Sequence, residues 1–441
     1  MSDRSVILGS GMAAWGAFDR LTAEGVTPKL FDKNSYPGGH TASFPNDRGF
    51  IFDDGPHISF TEIEEMQKVL SDAVDGDYET LNARVDNWYE GVWVKHPAIA
   101  YLHALPEDLV VQILDEFIKV SATEMPETSS FSNYHDWLLA AYGPTFANNF
   151  PGRYGTKYHT CGPQEMNVSW LGPRLYRPDL REVLMGAIRP PRTEKHYIDK
   201  FRYPKKGGFE GYLRKFIESA DLSLGHRADT IDPISKTITF DNGRTENYDT
   251  LISSAPLAEM IRMLPNVPDD VKEAAGLLSC SQSVIVNVGV ARDDLSPAHW
   301  RYIYDEDMRS VRLSFPHMFS PTTCPPGHGA IQVEVYYSDK YKPLDHRPED
   351  DIQPVIEELT TMGVLREDDK IVFSEARFIE YANVIFDLDS GPAARKVQGY
   401  LSSLDITYCG RYGDWAYIWT DQSYLSGQRA AQRTLDARTS A

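Results

Sequence analysis

The sequence predicts an α/β fold in which a Rossmann-like dinucleotide-binding domain carries an inserted α+β domain. Two glycine turns near the N-terminus, each next to a short apolar run, indicate the dinucleotide-binding part. The chain has 441 residues, roughly two to three times the length of a typical domain, so at least two domains are expected. Hydrophobic residues make up 41% of the chain, which is enough for a large core.

The first element is a strand, a glycine turn and a helix. Residues 4–8 form an apolar run that leads into the turn, and small residues then begin a helical pattern. Gly9 allows the tight turn, Gly11 lets backbone N–H groups approach a pyrophosphate, and Ala14 is small enough for the helix to pack on the sheet. The residues that we predict to contact a cofactor here are Gly9, Ser10, Gly11, Ala13 and Ala14.

A second strand is predicted over residues 28–32 and ends in Asp32, 21 positions after Gly11. An acidic side chain at this place accepts hydrogen bonds from a ribose hydroxyl and repels a 2′-phosphate, so NADP is disfavoured. We therefore add Asp32 and the adjoining Lys33 to the predicted cofactor site. The alternative is a βαβ turn that binds no cofactor.

A second glycine turn over residues 38–41 (GGHT) comes soon after the acidic end of this strand. A polar hairpin then separates two short runs, and residues 54–57 (DGPH) follow. A NAD dehydrogenase has no need of a second glycine turn here, whereas the longer FAD must pass such a turn on the way to its isoalloxazine ring. The sequence therefore predicts FAD as the cofactor.

The segments GGHT and DGPH resemble the N-terminal block of the flavin amine oxidase and protoporphyrinogen oxidase-like superfamily, which also contains the UDP-galactopyranose mutases. Near the C-terminus, a short strand ends in Gly-Arg and a helix opens at residues 421–423. The resemblance implies that the Gly-Arg strand end passes the FAD pyrophosphate. It also implies that the last helix points its N-terminus at the flavin and stabilises negative charge on the reduced ring. The cofactor residues it implies are Gly39, His40, Thr41, Pro56, His57, Gly410, Arg411, Asp421, Gln422 and Ser423.

The resemblance further implies a discontinuous FAD-binding domain of the GR2 type. We assign residues 1–70, 200–275 and 375–441 to this domain, and residues 71–199 and 276–374 to the inserted substrate-binding domain. Helical periodicity dominates residues 104–150, and alternating apolar positions dominate residues 282–337. The insert is therefore expected to mix helices and strands, and the substrate is expected to bind between the domains against the flavin.

Basic side chains are concentrated in the insert. Residues 172–206 contain ten basic and four acidic side chains, in a chain whose formal net charge is −20. If this segment faces the cleft, it attracts a small anionic substrate such as a sugar nucleotide or a carboxylate. The alternative is a solvated basic face that balances acidic neighbours.

Single residues of the substrate site are implied by the resemblance. The segment 173–177 resembles a mutase segment whose arginine contacts the substrate pyrophosphate, and Arg312 lies where these families place another substrate-facing arginine. The alternative for Arg177 and Arg312 is a surface or interdomain ion pair. A neutral His57 near the flavin could donate a hydrogen bond or move a proton; the alternative is a histidine that only packs in the turn. Aromatic residues could form the cavity wall, although they also occur in cores. The predicted substrate residues are Arg174, Arg177, Arg312, Trp170, Tyr417 and Trp419, with His57 as the candidate catalytic residue.

The composition disfavours several functions. A net charge of −20 argues against a general nucleic-acid binder, and no stretch approaches the roughly 20 apolar residues of a membrane-spanning helix. The N-terminus does not resemble a signal peptide and the four cysteines are far apart, so a reduced, cytoplasmic protein without a zinc site is expected. No metal-binding, Walker or Ser-His-Asp motif is recognised, so the flavin would have to carry the reaction. The sequence does not indicate an oligomeric state.

Three functions remain. The first, which we predict, is an FAD-dependent oxidoreductase that oxidises a small, anionic metabolite by hydride transfer to flavin N5. The second is a non-redox mutase that resembles UDP-galactopyranose mutase. The basic segment and residues 410–417 favour it, whereas Trp419 stands where the mutase has an aspartate. The third is a flavin-binding protein without turnover, which is disfavoured because so complete a cofactor site seldom lacks chemistry.

Overall fold

The computed structural model describes residues 4–172, 177–191 and 198–439. Its strands are β1 (Ser5–Leu8), β2 (Lys29–Phe31), β3 (Ser43–Pro45), β4 (Ile51–Asp53), β5 (Tyr78–Asn82), β6 (Val85–Tyr89), β7 (Val92–Lys95), β8 (Lys200–Pro204), β9 (Asp221–Ser223), β10 (Ala228–Asp232), β11 (Thr237–Phe240), β12 (Thr245–Asn247), β13 (Thr250–Ser253), β14 (Cys280–Val290), β15 (Trp300–Ile303), β16 (Arg312–Ser314), β17 (Gly329–Tyr337), β18 (Ile371–Val384) and β19 (Ile406–Tyr408).

The α-helices are α1 (Met12–Ala23), α2 (Glu64–Ala73), α3 (Glu107–Ser121), α4 (Tyr134–Tyr142), α5 (Pro144–Ala147), α6 (Arg153–His159), α7 (Leu180–Ile188), α8 (Arg214–Ser219), α9 (Leu257–Met263), α10 (Asp269–Leu277), α11 (Ile352–Thr361), α12 (Ser390–Ser403), α13 (Gly410–Gly413) and α14 (Thr420–Thr439). Within the described ranges, no helix combines the length and the apolar character needed to cross a membrane.

A five-stranded parallel sheet has the strand order β19-β13-β1-β2-β9. All residues of β1 are buried, because helices cover both faces of a parallel sheet. Ile7 packs in the same cluster as the apolar residues of α1, whereas Val6 and Leu8 pack with α9, α10 and α12 on the other face. This sheet confirms the predicted α/β fold with a Rossmann-like domain.

A seven-stranded mixed sheet has the order β18-β14-β17-β16-β15-β6-β7. Successive side chains of a strand point to opposite faces, so the valines of β14 and β17, such as Val284 and Val335, pack together in one core with α11. The intervening Ile285, Glu334 and Tyr336 line a cavity on the opposite face. The domain boundaries stay a prediction. Strand β18 continues through the boundary that we place between residues 374 and 375.

Helices α3, α4, α5 and α7 pack against one another within residues 107–188. Their apolar faces, including Ile113, Phe117 and Leu138, join the same core as α1 and as Ile99 and Leu102, which lie in two short 3-10 helices. The helical periodicity of residues 104–150 therefore corresponds to α3, α4 and α5, which form a layer beside the seven-stranded sheet together with α6.

The first and last helices of the chain, α1 and α14, pack with their backbones in direct contact. A Cβ atom on Gly16 would lie 1.9 Å from the Tyr424 carbonyl oxygen, and a Cβ on Gly427 would lie 1.8 Å from the Ala13 carbonyl oxygen. The Tyr424 hydroxyl also donates to Asp19 (2.6 Å). Glycine at both positions thus allows α1 and α14 to begin side by side.

We expect Gly427→Ala to lower the free energy of unfolding by about 1–3 kcal/mol, because the new methyl group forces α1 and α14 apart. Gly399→Ala in α12 is the matched control, since Gly399 has no heavy atom within 4 Å of the added Cβ and Ala favours a helix. Urea unfolding measures both variants. A Gly427→Ala protein as stable as Gly399→Ala would show that the two helices do not need this contact.

Candidate functional site

A cavity of about 810 Å³ extends from the first glycine turn to an aromatic end formed by the seven-stranded sheet and α6. Most of the predicted cofactor residues line it, although they come from both ends of the chain. Those that line it are Gly9, Ser10, Gly11, Ala13, Asp32, Lys33, Gly39, His40, Thr41, Pro56, His57, Gly410, Arg411 and Ser423.

The two glycine turns lie against each other. Gly9 has a φ of +118°, which only glycine adopts without strain, and a Cβ there would lie 2.0 Å from the Ser254 hydroxyl oxygen. A Cβ on Gly11 would lie 3.3 Å from the Gly38 carbonyl oxygen. The turns therefore form a cradle without side chains at the N-terminus of α1, where backbone N–H groups favour a phosphate.

Ser10 connects the cradle to the acidic end of β2. Its hydroxyl donates to Asp32 (2.6 Å) and accepts from the Gly38 backbone N–H (3.2 Å). Asp32 also accepts from the Asn34 backbone N–H (2.8 Å). Burial raises the pKa of Asp32 above its usual range, and both of its oxygens retain lone pairs for a ribose hydroxyl at the cavity wall.

The segment after β4 is held by a buried carboxylate. Asp53 accepts hydrogen bonds from the Tyr203 hydroxyl (2.7 Å), the Ser43 hydroxyl (2.6 Å) and the Phe209 backbone N–H (3.0 Å). Burial raises the pKa of Asp53 to about 6 in spite of these bonds. The next residue, Asp54, pairs with His40 and Arg377. These contacts position the turn that carries His57.

His57 is a neutral side chain at the cavity wall. Its Nδ1 lies 2.9 Å from the Gly55 carbonyl oxygen, which can only accept, so Nδ1 carries the proton and Nε2 is an acceptor. Burial lowers the pKa of His57 to about 4. At neutral pH the ring can therefore accept a proton or a hydrogen bond through Nε2, but it carries no charge.

At the C-terminal part of the site, the Arg411 guanidinium donates to the Ile418 carbonyl oxygen (3.1 and 2.8 Å) and to the Asn383 side-chain oxygen (3.2 Å). Three predicted cofactor residues do not line the cavity. Ala14 is fully buried, consistent with a packing role, whereas Gln422 accepts from the Trp419 backbone N–H (3.0 Å) at the start of α14. Asp421, in the first turn of α14, is likewise buried.

The predicted substrate residues Arg312, Tyr417 and Trp419 line the far end of the cavity. The Arg312 guanidinium forms an ion pair with Glu334, including an Nη2 to Oε1 hydrogen bond of 2.8 Å. The Tyr336 hydroxyl donates to the same carboxylate (2.6 Å). Charge compensation by Glu334 means that Arg312 does not give this end of the cavity a net positive charge.

Two other predicted substrate residues, Arg177 and Trp170, do not line the cavity. The Arg177 side chain donates to the Ala141 carbonyl oxygen (3.3 Å), and Trp170 packs behind Tyr417 at a ring distance of 5.8 Å. Arg174 lies outside the described residues. None of the described basic residues between 177 and 206 lines the cavity, and Lys205, for example, pairs with Asp77.

Several wall residues were missed by the sequence interpretation. Tyr158 donates to Asn383 (2.9 Å), and Tyr417 lies 3.4 Å from Tyr158. The alternation of β17 carried a usable signal for Glu334 and Tyr336, because these residues alternate with the buried valines of the same strand. No comparable pattern marks Tyr158 or Asn383, which meet only in the folded chain.

Comparison with known proteins agrees with this geometry. Residues 7–73 match the family described as an NAD(P)-binding Rossmann-like domain. A structure of reduced UDP-galactopyranose mutase superposes with a TM-score of 0.91 and 27% identity, covering 99% of this chain and 94% of that chain. A putative protoporphyrinogen oxidase from Exiguobacterium sp. 255-15 has a TM-score of 0.74 and 14% identity, over 98% of this chain and 99% of that one. A putrescine oxidase redesigned in its cofactor binding has a TM-score of 0.66 and 13% identity, over 99% of both.

These similarities define the class of protein. The chain has a dinucleotide-binding Rossmann-like domain within the architecture of FAD-dependent enzymes. The resemblance inferred from the motifs is confirmed at the level of the fold, which is similar to that of UDP-galactopyranose mutase over 99% of this chain and is shared with the two oxidases.

We expect Gly11→Val to abolish FAD retention, because the branched side chain would project into the space between the two glycine turns and block a pyrophosphate. Flavin absorbance of the purified protein after addition of excess FAD and desalting measures this. Gly276→Val in α10, where no heavy atom lies within 4 Å of the added Cβ, is the control and should retain flavin. A Gly11→Val protein that remains fully yellow would refute the phosphate-binding role of this turn.

Replacing Asp53 by Asn should change how stability depends on pH. The pKa of Asp53 is about 6 in the folded protein and about 3.9 in an unfolded chain, so its contribution to stability decreases as the pH rises from about 4 to about 6. The stability of Asp53→Asn relative to the wild type should therefore rise across this interval by up to about 3 kcal/mol. Urea unfolding of the apoprotein at several pH values measures it.

Asp54→Asn is the control for this titration. Burial opposes ionisation of Asp54, but His40 and Arg377 lower its pKa below the usual range. Asp54 therefore stays ionised in the folded and the unfolded state above about pH 5, and the stability difference between this variant and the wild type should be flat there. A flat profile for Asp53→Asn as well would mean that Asp53 is not a high-pKa carboxyl.

Proposed function

We propose that this protein binds FAD and isomerises a nucleotide-linked sugar without net oxidation of the substrate. The observation that carries the proposal is the similarity to reduced UDP-galactopyranose mutase, with 27% identity and a TM-score of 0.91 over 99% of the chain. The oxidases superpose with TM-scores of 0.74 and 0.66 at 14% and 13% identity. The proposal therefore favours the mutase over the oxidoreductase that the sequence motifs alone suggested.

The cradle supports FAD as the cofactor. The glycine turns would hold the pyrophosphate, and Asp32 would accept from the ribose. Gly410 has a φ of +78°, which favours glycine, and a Cβ there would lie in tight contact with the Ala13 Cβ at 3.0 Å. It would let a second stretch of backbone approach the same cofactor. Bound flavin can supply a hydride acceptor or, in its reduced state, a nucleophile.

The far end of the cavity suits a hydroxylated substrate. Hydroxyl groups of Tyr158, Tyr336 and Tyr417 and the Arg312–Glu334 pair are presented within the same wall. Such groups orient a sugar through hydrogen bonds to its hydroxyls, and a guanidinium that is already oriented by a carboxylate can add a contact to a phosphate oxygen. Binding and orientation of the sugar nucleotide are the roles that we assign to these residues.

A hydride-transfer oxidoreductase acting on a small, anionic metabolite is the second candidate. Trp419 favours it, because this residue replaces the aspartate of the mutase motif and packs edge-on against Phe60 at a ring distance of 4.5 Å. Both rings line the cavity and give one wall an apolar surface. Such a wall suits a substrate that is smaller and less hydroxylated than a sugar nucleotide.

Anaerobic assays distinguish the two candidates. The proposal expects UDP-galactopyranose to be converted to an isomer only after the flavin is reduced with dithionite, with no consumption of reductant per turnover. Chromatography of the UDP-sugars and the flavin absorbance together measure this. Bleaching of the oxidised flavin by a carboxylate or amine metabolite would instead establish the oxidoreductase, and no isomer from UDP-galactopyranose or other nucleotide sugars would overturn the mutase proposal.

Two neighbouring tyrosines provide a matched pair of variants for whichever of the two reactions the assays detect. Tyr336→Phe removes the hydroxyl that donates to Glu334 in the cavity, and we expect it to lower kcat/KM about tenfold. Tyr337 points to the opposite face of β17 and donates to Asp351 (2.8 Å), so Tyr337→Phe should leave kcat/KM unchanged. Equal effects of the two substitutions would contradict the assignment of Tyr336 to the substrate wall.

A further inference from the structure

Three parts of the chain meet at the side chain of Asn383, at the end of β18. Its Oδ1 accepts from the Tyr158 hydroxyl of α6 (2.9 Å) and from Nη1 of Arg411 in α13 (3.2 Å). Asn383 is 4% exposed, and all three residues line the cavity. One amide oxygen thus joins the helical layer, the seven-stranded sheet and the C-terminal part of the cofactor cradle.

The orientation of this amide is determined by its neighbours. A guanidinium can only donate, so the atom that faces Arg411 must be the oxygen and Nδ2 must lie on the other side. Two hydrogen bonds to one buried oxygen, one from a charged donor and one from a hydroxyl, hold the amide in place more strongly than either bond alone. The Tyr158 proton is therefore directed to Asn383, and the Tyr158 oxygen remains an acceptor, which lies 3.4 Å from the Tyr417 hydroxyl.

The backbone around Asn383 is also fixed by hydrogen bonds. Its N–H donates to the Ser281 hydroxyl (3.1 Å) on β14. The Tyr412 hydroxyl shares its one proton between the carbonyl oxygens of Tyr381 (2.7 Å) and Ala382 (3.0 Å). Arg411 and Tyr412 are consecutive residues of α13. This short helix therefore contacts the end of β18 through hydrogen bonds to both its main chain and the Asn383 side chain.

We propose that Asn383 is a positioning residue that couples Arg411 on the cofactor side of the cavity to the Tyr158 hydroxyl on the substrate side. Asn383 holds the Arg411 guanidinium and the Tyr158 hydroxyl in place. In this proposal those two groups contact the bound molecules and Asn383 does not. The Arg411 half of the inference concerns cofactor binding alone. The Tyr158 half rests on the proposed function, because it assumes that Tyr158 contacts a sugar nucleotide.

A double-mutant cycle on FAD binding tests the Arg411 half. Asn383→Ala should weaken FAD binding to the apoprotein about tenfold by releasing Nη1 of Arg411. In an Arg411→Ala background the same substitution should have less than about a threefold effect, because the group through which it acts is gone. Fluorescence titration of the apoproteins with FAD measures all four proteins, and full additivity of the two substitutions would overturn the coupling.

Asn87→Ala is the matched control for loss of a buried amide. Asn87 lies on β6 in the same sheet, is fully buried and donates to the Lys95 carbonyl oxygen (3.1 Å), but it does not line the cavity. It should lower the melting temperature of the apoprotein without changing FAD affinity. Asn383→Asp retains an acceptor oxygen for both donors and should restore FAD binding to within about threefold of the wild type. A loss of affinity equal to that of Asn383→Ala would overturn the proposal, as would wild-type affinity in Asn383→Ala.

A second cycle, with UDP as the probe, tests the Tyr158 half. UDP binding to the reduced holoenzyme is followed by the change in flavin absorbance. Tyr158→Phe should weaken UDP binding in the wild-type background and have little further effect with Asn383→Ala. Additive effects would overturn this half. If UDP does not bind the wild type at all, the proposed function and this half fail together, whereas the FAD cycle still decides the coupling to Arg411.

Discussion

The direct backbone contact between α1 and α14 sets the distance between the two ends of the cofactor cradle. Gly16 and Gly427 each face a carbonyl oxygen of the opposite helix with no room for a methyl group. Because α1 begins at the first glycine turn and α14 begins beside Trp419, this contact brings two helix N-termini to one cavity. Their partial positive charges favour an anionic cofactor that spans both. A larger residue at either glycine would separate those termini.

The cavity is also closed by contacts between its two sheets. Arg377 of β18 reaches Asp54 beside the second glycine turn, and Lys33 pairs with Glu380 of β18 (2.9 Å). The Lys33 pair is partly exposed, so its contribution is small, whereas Asp54 is 7% exposed, so its pairing with Arg377 is screened less by solvent. The cofactor side therefore depends on the seven-stranded sheet for its geometry, and the two regions act as one site.

Charge compensation gives the substrate end its chemical character. Glu334 neutralises Arg312 and also accepts from Tyr336, so the cation is held in a fixed orientation. Burial keeps His57 neutral at physiological pH, and the nearby tyrosines keep their protons. The wall therefore presents directed hydrogen-bond donors and acceptors rather than an excess of positive charge, unlike the basic segment that the sequence suggested.

From the residues alone, the dinucleotide turn, the second glycine turn and the resemblance to flavin-dependent enzymes could be predicted. Each of these depends on local backbone requirements: a glycine with positive φ, a small residue at a helix–strand contact, an acidic residue at a strand end. Which basic side chains line the cavity depends on the tertiary structure. Arg312 does so and Arg177 does not, because a side chain's direction depends on the packing of its element against partners distant in sequence. Tyr158, Asn383 and Arg411 meet for the same reason: they belong to three elements that only folding brings into hydrogen-bond distance.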